Sequence, residues 1–335
     1  MCFRERPAAT AEPRAALLLR LVAVGWLIGG FLLVALAIAL CLLNLHRPWG
    51  AAGAALLAGS LLLPLRMPPP AWARRFLQVS IEEMRAWFPI SVVFEDEAAF
   101  KDAGPFVIGY EPHSVLPLGM CIFLPNARGM PASLTNTVVA ATSTVFLAPG
   151  MRHMAFWMGC RSASREASLP VLRRALAGGS NVALTPGGVQ ECFYMSTDPD
   201  QEVVYLRRRS GFVRLAIEAG APIVPVFAFG QTPHYKFWRP FIDWPRRLIP
   251  PGAMGSFVRR IGYVPLLACG WLGTAVPHQV PMHVVVGKPI RVQQNAAPSP
   301  EEVQRTLQRY IAELSRIFQQ YKAAAGHAQA TLTVV

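Results

Sequence analysis

The sequence predicts an α/β fold with a largely parallel sheet, preceded by an apolar N-terminal membrane hairpin. Three apolar strand patterns, each running into a polar cluster rich in glycine or proline, point to the sheet. A helical pattern between the second and third, and a 25-residue uncharged run from Leu21 to Leu45, complete the outline. The chain has 335 residues, 53% of them hydrophobic and only 15% charged, with a mean hydropathy of +0.34. Charged content lies well below the roughly 25% usual for soluble domains, which excludes a disordered chain and points to contact with a membrane.

As a helix, the Leu21–Leu45 run would extend about 37 Å against a hydrocarbon core of about 30 Å, enough for one tilted span. It is longer than the roughly 7–15-residue apolar region of a secretory signal. After His46-Arg47-Pro48-Trp49 a second apolar run, Gly50 to Leu65, has only 16 residues, short for an independent span. Arg4, Arg6, Arg14 and Arg20 precede the pair and Arg66, Arg74 and Arg75 follow it, with Arg47 alone in the turn. The positive-inside rule then places both ends in the cytosol, as a spanning or re-entrant hairpin, with a single signal anchor as the other reading. The expected organisation is a basic tail over 1–20, a hairpin over 21–65, a domain over 66–322 opened by the hinge Pro68-Pro69-Pro70, and a tail over 323–335.

Within the domain, Pro105 to Tyr110 reads as a buried strand that empties into Glu111-Pro112-His113-Ser114. Asn181 to Thr185 empties into Pro186-Gly187-Gly188-Val189-Gln190-Glu191, and Ile223 to Phe229 into Gly230-Gln231-Thr232-Pro233-His234-Tyr235. Gly211 to Ala219 carries its apolar residues on one helical face, with Gly220 as a stop. Strand, helix, strand implies a right-handed crossover and parallel pairing. Ligands of such sheets bind beyond the carboxyl ends of the strands, where all three polar clusters lie. Val284-Val285-Val286 adds a strand. A helix from Pro300 to about Lys322 follows, opened by a capping box of Ser299 and Glu302, with a core stripe at Val303, Leu307, Tyr310, Ile311, Leu314, Phe318 and Tyr321.

The net charge is +13, from 32 Lys and Arg against 19 Asp and Glu, and only four of the bases are Lys. An anionic leaflet suits this charge better than nucleic acid, because the arginines do not interleave with aromatic residues. The six cysteines show no zinc-site spacing, so no metal is expected. No Walker loop, G-x-G-x-x-G, G-x-S-x-G elbow or H-E-x-x-H is present, which removes the usual support for an NTPase, dinucleotide oxidoreductase, serine hydrolase or zinc protease. No histidine is followed by aspartate at the H-x4-D spacing.

His113 directly follows a strand, between Glu111 and Ser114, and such a histidine can take a proton from an alcohol attacking a carbonyl. A plain loop histidine is the other reading. His234 is a second candidate by the same argument. Gly187 and Gly188 can turn backbone N–H groups toward a phosphate or oxyanion, or simply form a turn. Glu191 is placed to orient His113. Arg207, Arg208 and Arg209 precede the Gly211 helix, where they meet phosphates or form a solvated basic face.

Taken in order, these residues resemble the type-two diacylglycerol acyltransferase family, which includes monoacylglycerol and wax-alcohol acyltransferases. Glu111-Pro112-His113-Ser114 is similar to the plant and algal form of the family's His-Pro-His-Gly block, and Trp87-Phe88-Pro89 to its Tyr-Phe-Pro block with Trp for Tyr. Pro186-Gly187-Gly188-Val189-Gln190-Glu191 is similar to the Gly-Gly-x-x-Glu block. Arg209-Ser210-Gly211-Phe212 resembles the start of Arg-x-Gly-Phe-x-x-x-Ala, and Val286-Gly287-Lys288-Pro289-Ile290 the late Val-Gly-x-Pro-Ile.

The resemblance implies a glycerolipid-acyltransferase-like α/β domain behind a membrane hairpin. The implied enzyme of the endoplasmic reticulum and lipid droplet has a cytosolic catalytic face and moves an acyl group from acyl-CoA to diacylglycerol. It implies no dissociable cofactor, acyl-CoA being a co-substrate, and membrane lipid as a partner; a homo-oligomer stays open. Carried over, His113 is the base and Glu191 its partner. Glu111, Ser114, Gly187, Gly188, Arg209, Gly211 and Phe212 form the substrate and oxyanion set. The animal form has a first His where this chain has Glu111, so that position is not an obligatory base here. Transfer is expected to be direct; Ser114 or Cys121 as an acyl-enzyme nucleophile is the alternative. Monoacylglycerol or a long-chain alcohol as acceptor, a non-catalytic lipid-droplet or lipid-binding protein, and a lysophospholipid acyltransferase, against which the missing H-x4-D counts, are the remaining readings.

Overall fold

The computed structural model describes residues 14–65, 67–101, 104–124, 127, 129–163, 169–198, 200–240, 264 and 266–335. The expected tail up to residue 13, and Arg66, therefore lie outside the described residues. Helices α1 (Arg14–Leu43), α2 (Pro48–Ser60) and α3 (Ala71–Trp87) come first, then β1 (Ile90–Phe94), β2 (Val107–Glu111) and β3 (Thr137–Ala141). α4 (Met151–Trp157), β4 (Cys160–Ser162), α5 (Leu169–Ala177), β5 (Asn181–Leu184), β6 (Gln201–Val204), α6 (Gly211–Ala219) and β7 (Ile223–Phe229) follow. The chain ends with β8 (Lys236–Trp238), β9 (Leu267–Cys269), β10 (Met282–Val286), α7 (Pro300–Tyr321) and β11 (Thr331–Val334).

A seven-stranded sheet runs β1-β10-β7-β2-β5-β3-β4. The block from β7 to β4 is parallel throughout, β10 runs antiparallel to β7, and β1 is parallel to β10. The expected α/β class and largely parallel sheet are what the chain forms. β7 is buried at all seven positions, as expected for a strand covered on both faces. Its alternate residues divide between two cores. Ile223, Phe227 and Phe229 pack with α5, α6 and α7, while Val224, Val226 and Ala228 pack with α3 and the turn at 118–124.

α6 lies where the 3.6-residue pattern placed it and stops at Gly220, whose φ of +66° is the left-handed cap that glycine adopts without penalty. The stripe on α7 is core, with Leu307, Tyr310, Leu314 and Phe318 fully buried. Its capping box is only half formed. Ser299 Oγ accepts from the Glu302 amide, but the Glu302 carboxylate accepts from Asn295 Nδ2 at 2.8 Å instead of turning back to the cap. The segment 323–335, expected to be a tail, carries β11, which pairs in parallel with β6.

The apolar N-terminal segment also departs from expectation. α1 is bent by 47° between Arg20–Trp26 and Ile28–Leu43, and no single helix among the described residues is long and apolar enough to cross a membrane. The first arm is docked on α3. Ala23 and Val24 are buried, Arg20 pairs with Glu83 at 2.9 Å, and Trp26 meets Phe76 edge-on at 6.1 Å. Leu21–Leu45 is therefore not one straight span, because its beginning belongs to the domain. The second arm turns at Asn44 into α2, where Gly50 packs against the Asn44 carbonyl. This pair leaves Leu32, Leu36, Leu40, Leu43, Leu56 and Leu62 exposed.

Candidate active site

Strand order brings β7, β2 and β5 side by side and parallel, so their three polar loops emerge at one edge. They are cross-linked there. The Glu191 carboxylate accepts the His113 amide through Oε1 at 2.5 Å and the Tyr205 amide through Oε2 at 2.9 Å. Glu111 Oε1 accepts the Gly187 amide at 2.8 Å. From the β7 side, the Gln231 amide donates to the Pro112 and His113 carbonyls while its Oε1 accepts from Tyr110 Oη and the Gly119 amide.

His113 is half-buried. Its Nδ1 lies 2.8 Å from the Ser114 carbonyl, an oxygen that can only accept, so Nδ1 carries the proton and Nε2 the lone pair. Nε2 has no protein partner among the described residues. Burial holds the imidazole pKa below its ordinary value; the Ser114 carbonyl works against this and Arg209 adds to it. At neutral pH the ring is a neutral acceptor of protons. Ser114 holds a left-handed backbone (φ +53°), and this turns its carbonyl back to the ring.

Several expected roles are corrected by these contacts. Glu191 does not face the imidazole; it is the acceptor for the backbone amide of His113, so it positions the loop and not the ring. The Gly187 and Gly188 amides are taken by Glu111 and by the Thr185 carbonyl, so neither is free for an oxyanion. Both glycines are required sterically instead: any Cβ on Gly187 would overlap the Glu191 carboxylate, and Gly188 sits at φ +57° against Arg209 Nη2. Arg209 clamps this turn, donating from Nε to the Pro186 carbonyl and from Nη2 to the Gly187 carbonyl.

Phe212 is core, packed edge-on against Tyr310 at 5.0 Å. Gly211 is exposed at the start of α6 with open space where a Cβ would go. His234 is fully buried, bonded to the Gln231 carbonyl and edge-on to Phe88, with burial lowering its pKa to about 4. Cys121 is also core, its thiol pushed up to about 12 by burial, and no nucleophile is expected from it.

Ser114, Glu191, Glu202 and Thr232 line a small crevice with Pro112, Met195, Ser196 and Val203. The Ser114 hydroxyl makes no hydrogen bond among the described residues. Gln231, Glu202 and Arg239 were not singled out from sequence. Glu202 accepts from Thr232 Oγ1 at 2.8 Å, and burial raises its pKa to about 7. Arg239 holds the Cys192 and Phe193 carbonyls. Of the three, only Gln231 carried a readable signal, a polar residue directly beyond a strand buried on both faces. No group of three His, Cys, Asp or Glu side chains suited to a metal occurs among the described residues.

A half-buried histidine stands at the carboxyl edge of a parallel sheet, its loop held by buried carboxylates, and its unbonded Nε2 is chemically able to accept a proton. The family model and the sequence relatives agree on the class, an acyltransferase of lipid metabolism. A family model described as diacylglycerol acyltransferase matches residues 69–335, and the chain belongs to that family. Diacylglycerol O-acyltransferase 2 of Xenopus tropicalis is 27% identical over 256 residues, covering 72% of this chain and 67% of that protein. Diacylglycerol O-acyltransferase 2B of Umbelopsis ramanniana is 27% identical over 257 residues (70% and 68%), and 2-acylglycerol O-acyltransferase 3 of Homo sapiens 27% over 260 (73% and 72%). The crystal structure of the 1-acyl-sn-glycerophosphate acyltransferase PlsC from Thermotoga maritima superposes with a TM-score of 0.41 and 14% identity over 87% of this chain and 96% of that one.

Proposed function

We propose that this chain transfers an acyl group from acyl-CoA to the free hydroxyl of diacylglycerol, with His113 Nε2 as general base. The observation that carries this reading is the hydrogen bond from Nδ1 to the Ser114 carbonyl, which leaves Nε2 as the unprotonated, unbonded nitrogen. Nε2 takes the hydroxyl proton as the oxygen attacks the thioester carbonyl. The C–S bond then breaks and the imidazolium returns the proton to the departing thiolate, so triacylglycerol, CoA and neutral imidazole remain. With the Gly187 and Gly188 amides engaged, the Ser114 hydroxyl is a donor available to meet the developing oxyanion.

The apolar pair α1–α2 would seat the domain on a bilayer, at the endoplasmic reticulum and on lipid droplets, with the catalytic edge cytosolic. Ile28–Leu43 extends about 24 Å, less than the hydrocarbon thickness of about 30 Å, which favours a dipping over a crossing hairpin. A second reading keeps the chemistry and changes the acceptor, since a 2-acylglycerol acyltransferase is as similar as the diacylglycerol enzymes. The test is membranes from host cells lacking their own neutral-lipid acyltransferases, given labelled oleoyl-CoA and separately diacylglycerol, 2-monoacylglycerol or a long-chain alcohol. Label in triacylglycerol from diacylglycerol supports the reading; label only with another acceptor supports the second; no label from well-expressed protein overturns both.

A further inference from the structure

The hydrogen bonds around Glu111 do not balance unless one carboxyl carries a proton. Glu111 is fully buried at the end of β2. Its Oε1 accepts the Gly187 amide, its Oε2 is buried with no donor, and the side chain it meets there is Glu191. Glu191 is also fully buried, and both its oxygens already accept backbone amides. Two anions so placed would repel in a medium that screens them poorly. The groups around them supply little relief. Arg209 attracts Glu111, the smallest of the influences on that carboxyl, while its Nε and Nη2 donate to the Pro186 and Gly187 carbonyls. Tyr110 on the same strand and Tyr310 on α7 are neutral phenols, Glu202 on β6 is another acid, and the His113 ring is turned to Ser114.

We propose that Glu111 works as a carboxylic acid, accepting the Gly187 amide through Oε1 and donating the proton on Oε2 to the Glu191 carboxylate, a bridge that positions the β2 and β5 loops around His113. Glu111 is thus a positioning residue and touches no substrate. Burial also raises the Glu191 carboxyl, to about 7, but both its oxygens accept backbone amides, so the shared proton sits on Glu111 and Glu191 keeps the His113 amide, which fixes where Nε2 stands. The bridge asks of position 111 one acceptor and one donor on a side chain of about this length. A glutamine amide and a neutral imidazole meet that requirement; alanine does not. Burial and the neighbouring Glu191 both raise the Glu111 pKa, consistent with a retained proton.

The proposal rests on His113 being the base, and its test separates the two. Glu111→Gln, Glu111→His and Glu111→Ala are compared with wild type in detergent-solubilised full-length protein, by the pH profile of acyl transfer and by Tm against pH. Gln and His variants are expected within about tenfold of the wild-type kcat at pH 7, and Ala to lose on the order of 10²-fold in kcat at little change in KM. On the alkaline side wild type loses kcat as the shared proton leaves, whereas Glu111→Gln has no such proton and its limb moves to higher pH. The stability sign is the same. The folded protein keeps a proton that the unfolded chain releases near pH 4.3, so this contribution is fully present below that pH and is lost as pH rises through the raised pKa. Wild-type Tm should therefore fall with pH more steeply than that of Glu111→Gln. Equal Tm slopes in the two proteins, or a Gln variant as inactive as Ala while melting cooperatively, would overturn the bridge. A wild type that transfers no acyl group counts against the function reading, and the Tm comparison then decides the bridge alone.

Discussion

At the scale of single residues, the site works through hydrogen-bond direction more than residue type. The proposed role of His113 as a base rests on the Ser114 carbonyl, which can only accept and so assigns the ring proton to Nδ1. Since burial lowers the imidazole pKa, the acid limb of kcat/KM is expected below the ordinary histidine value of about 6.5; a pH–rate profile with its acid limb above that value would contradict the assignment. Gly187→Ala would drive a methyl group into the Glu191 carboxylate, so we expect loss of activity on the order of 10²-fold, read as kcat in membranes with equal protein. His113, Glu111, Gly187 and Glu191 were legible in the sequence because each lies directly beyond a strand pattern. The direction of each polar atom was not. Nothing in the order Gly-Gly-Val-Gln-Glu tells that the glycine amides turn inward or that Glu191 meets a backbone amide.

At the scale of elements, strands ended by a clear turn signal and helices with caps were readable, and strands without such an ending were not. β2, β5 and β7 are apolar runs ended by turn residues, and α6 and α7 show the helical period with caps. β1, β3 and β4 are as short as β2 and β5 but run into no glycine- or proline-rich polar cluster, so they do not stand out from an apolar background. The reversal of β10 could not be read, because an apolar strand carries no mark of direction. Phe212 shows the limit of motif reading: it sits in a functional-looking block and packs in the core. Phe212→Ala is therefore expected to cost about 3–5 kcal/mol of stability, seen as a lowered Tm, without a selective rise in the KM for acyl-CoA. Ser299→Ala, which removes the single cap bond of α7, should cost about 1 kcal/mol.

At the scale of the whole molecule, one apolar helix serves two environments. The Arg20–Trp26 arm completes the domain against α3, and the Ile28–Leu43 arm with α2 presents exposed leucines. Composition predicted the apolar surface but not this division, since buried and exposed leucines are alike in sequence. A hairpin shorter than the bilayer is expected to keep its turn from the far side. In microsomes a His46→Cys variant should take up no more impermeant maleimide, above the wild-type background, after the membrane is permeabilised than before; labelling that appears only on permeabilisation would show a full crossing. On the proposed reading, a domain seated this way would hold the carboxyl edge of the sheet, with His113, close to a lipid acceptor.

The measurement that bears most directly on this account is label transfer from oleoyl-CoA to triacylglycerol in membranes carrying either wild type or His113→Ala, at matched expression and insertion. Wild type should make labelled triacylglycerol, and the variant should be slower by about 10²–10⁴ while melting as the wild type does. A His113→Ala protein that transfers label at the wild-type rate would contradict the account.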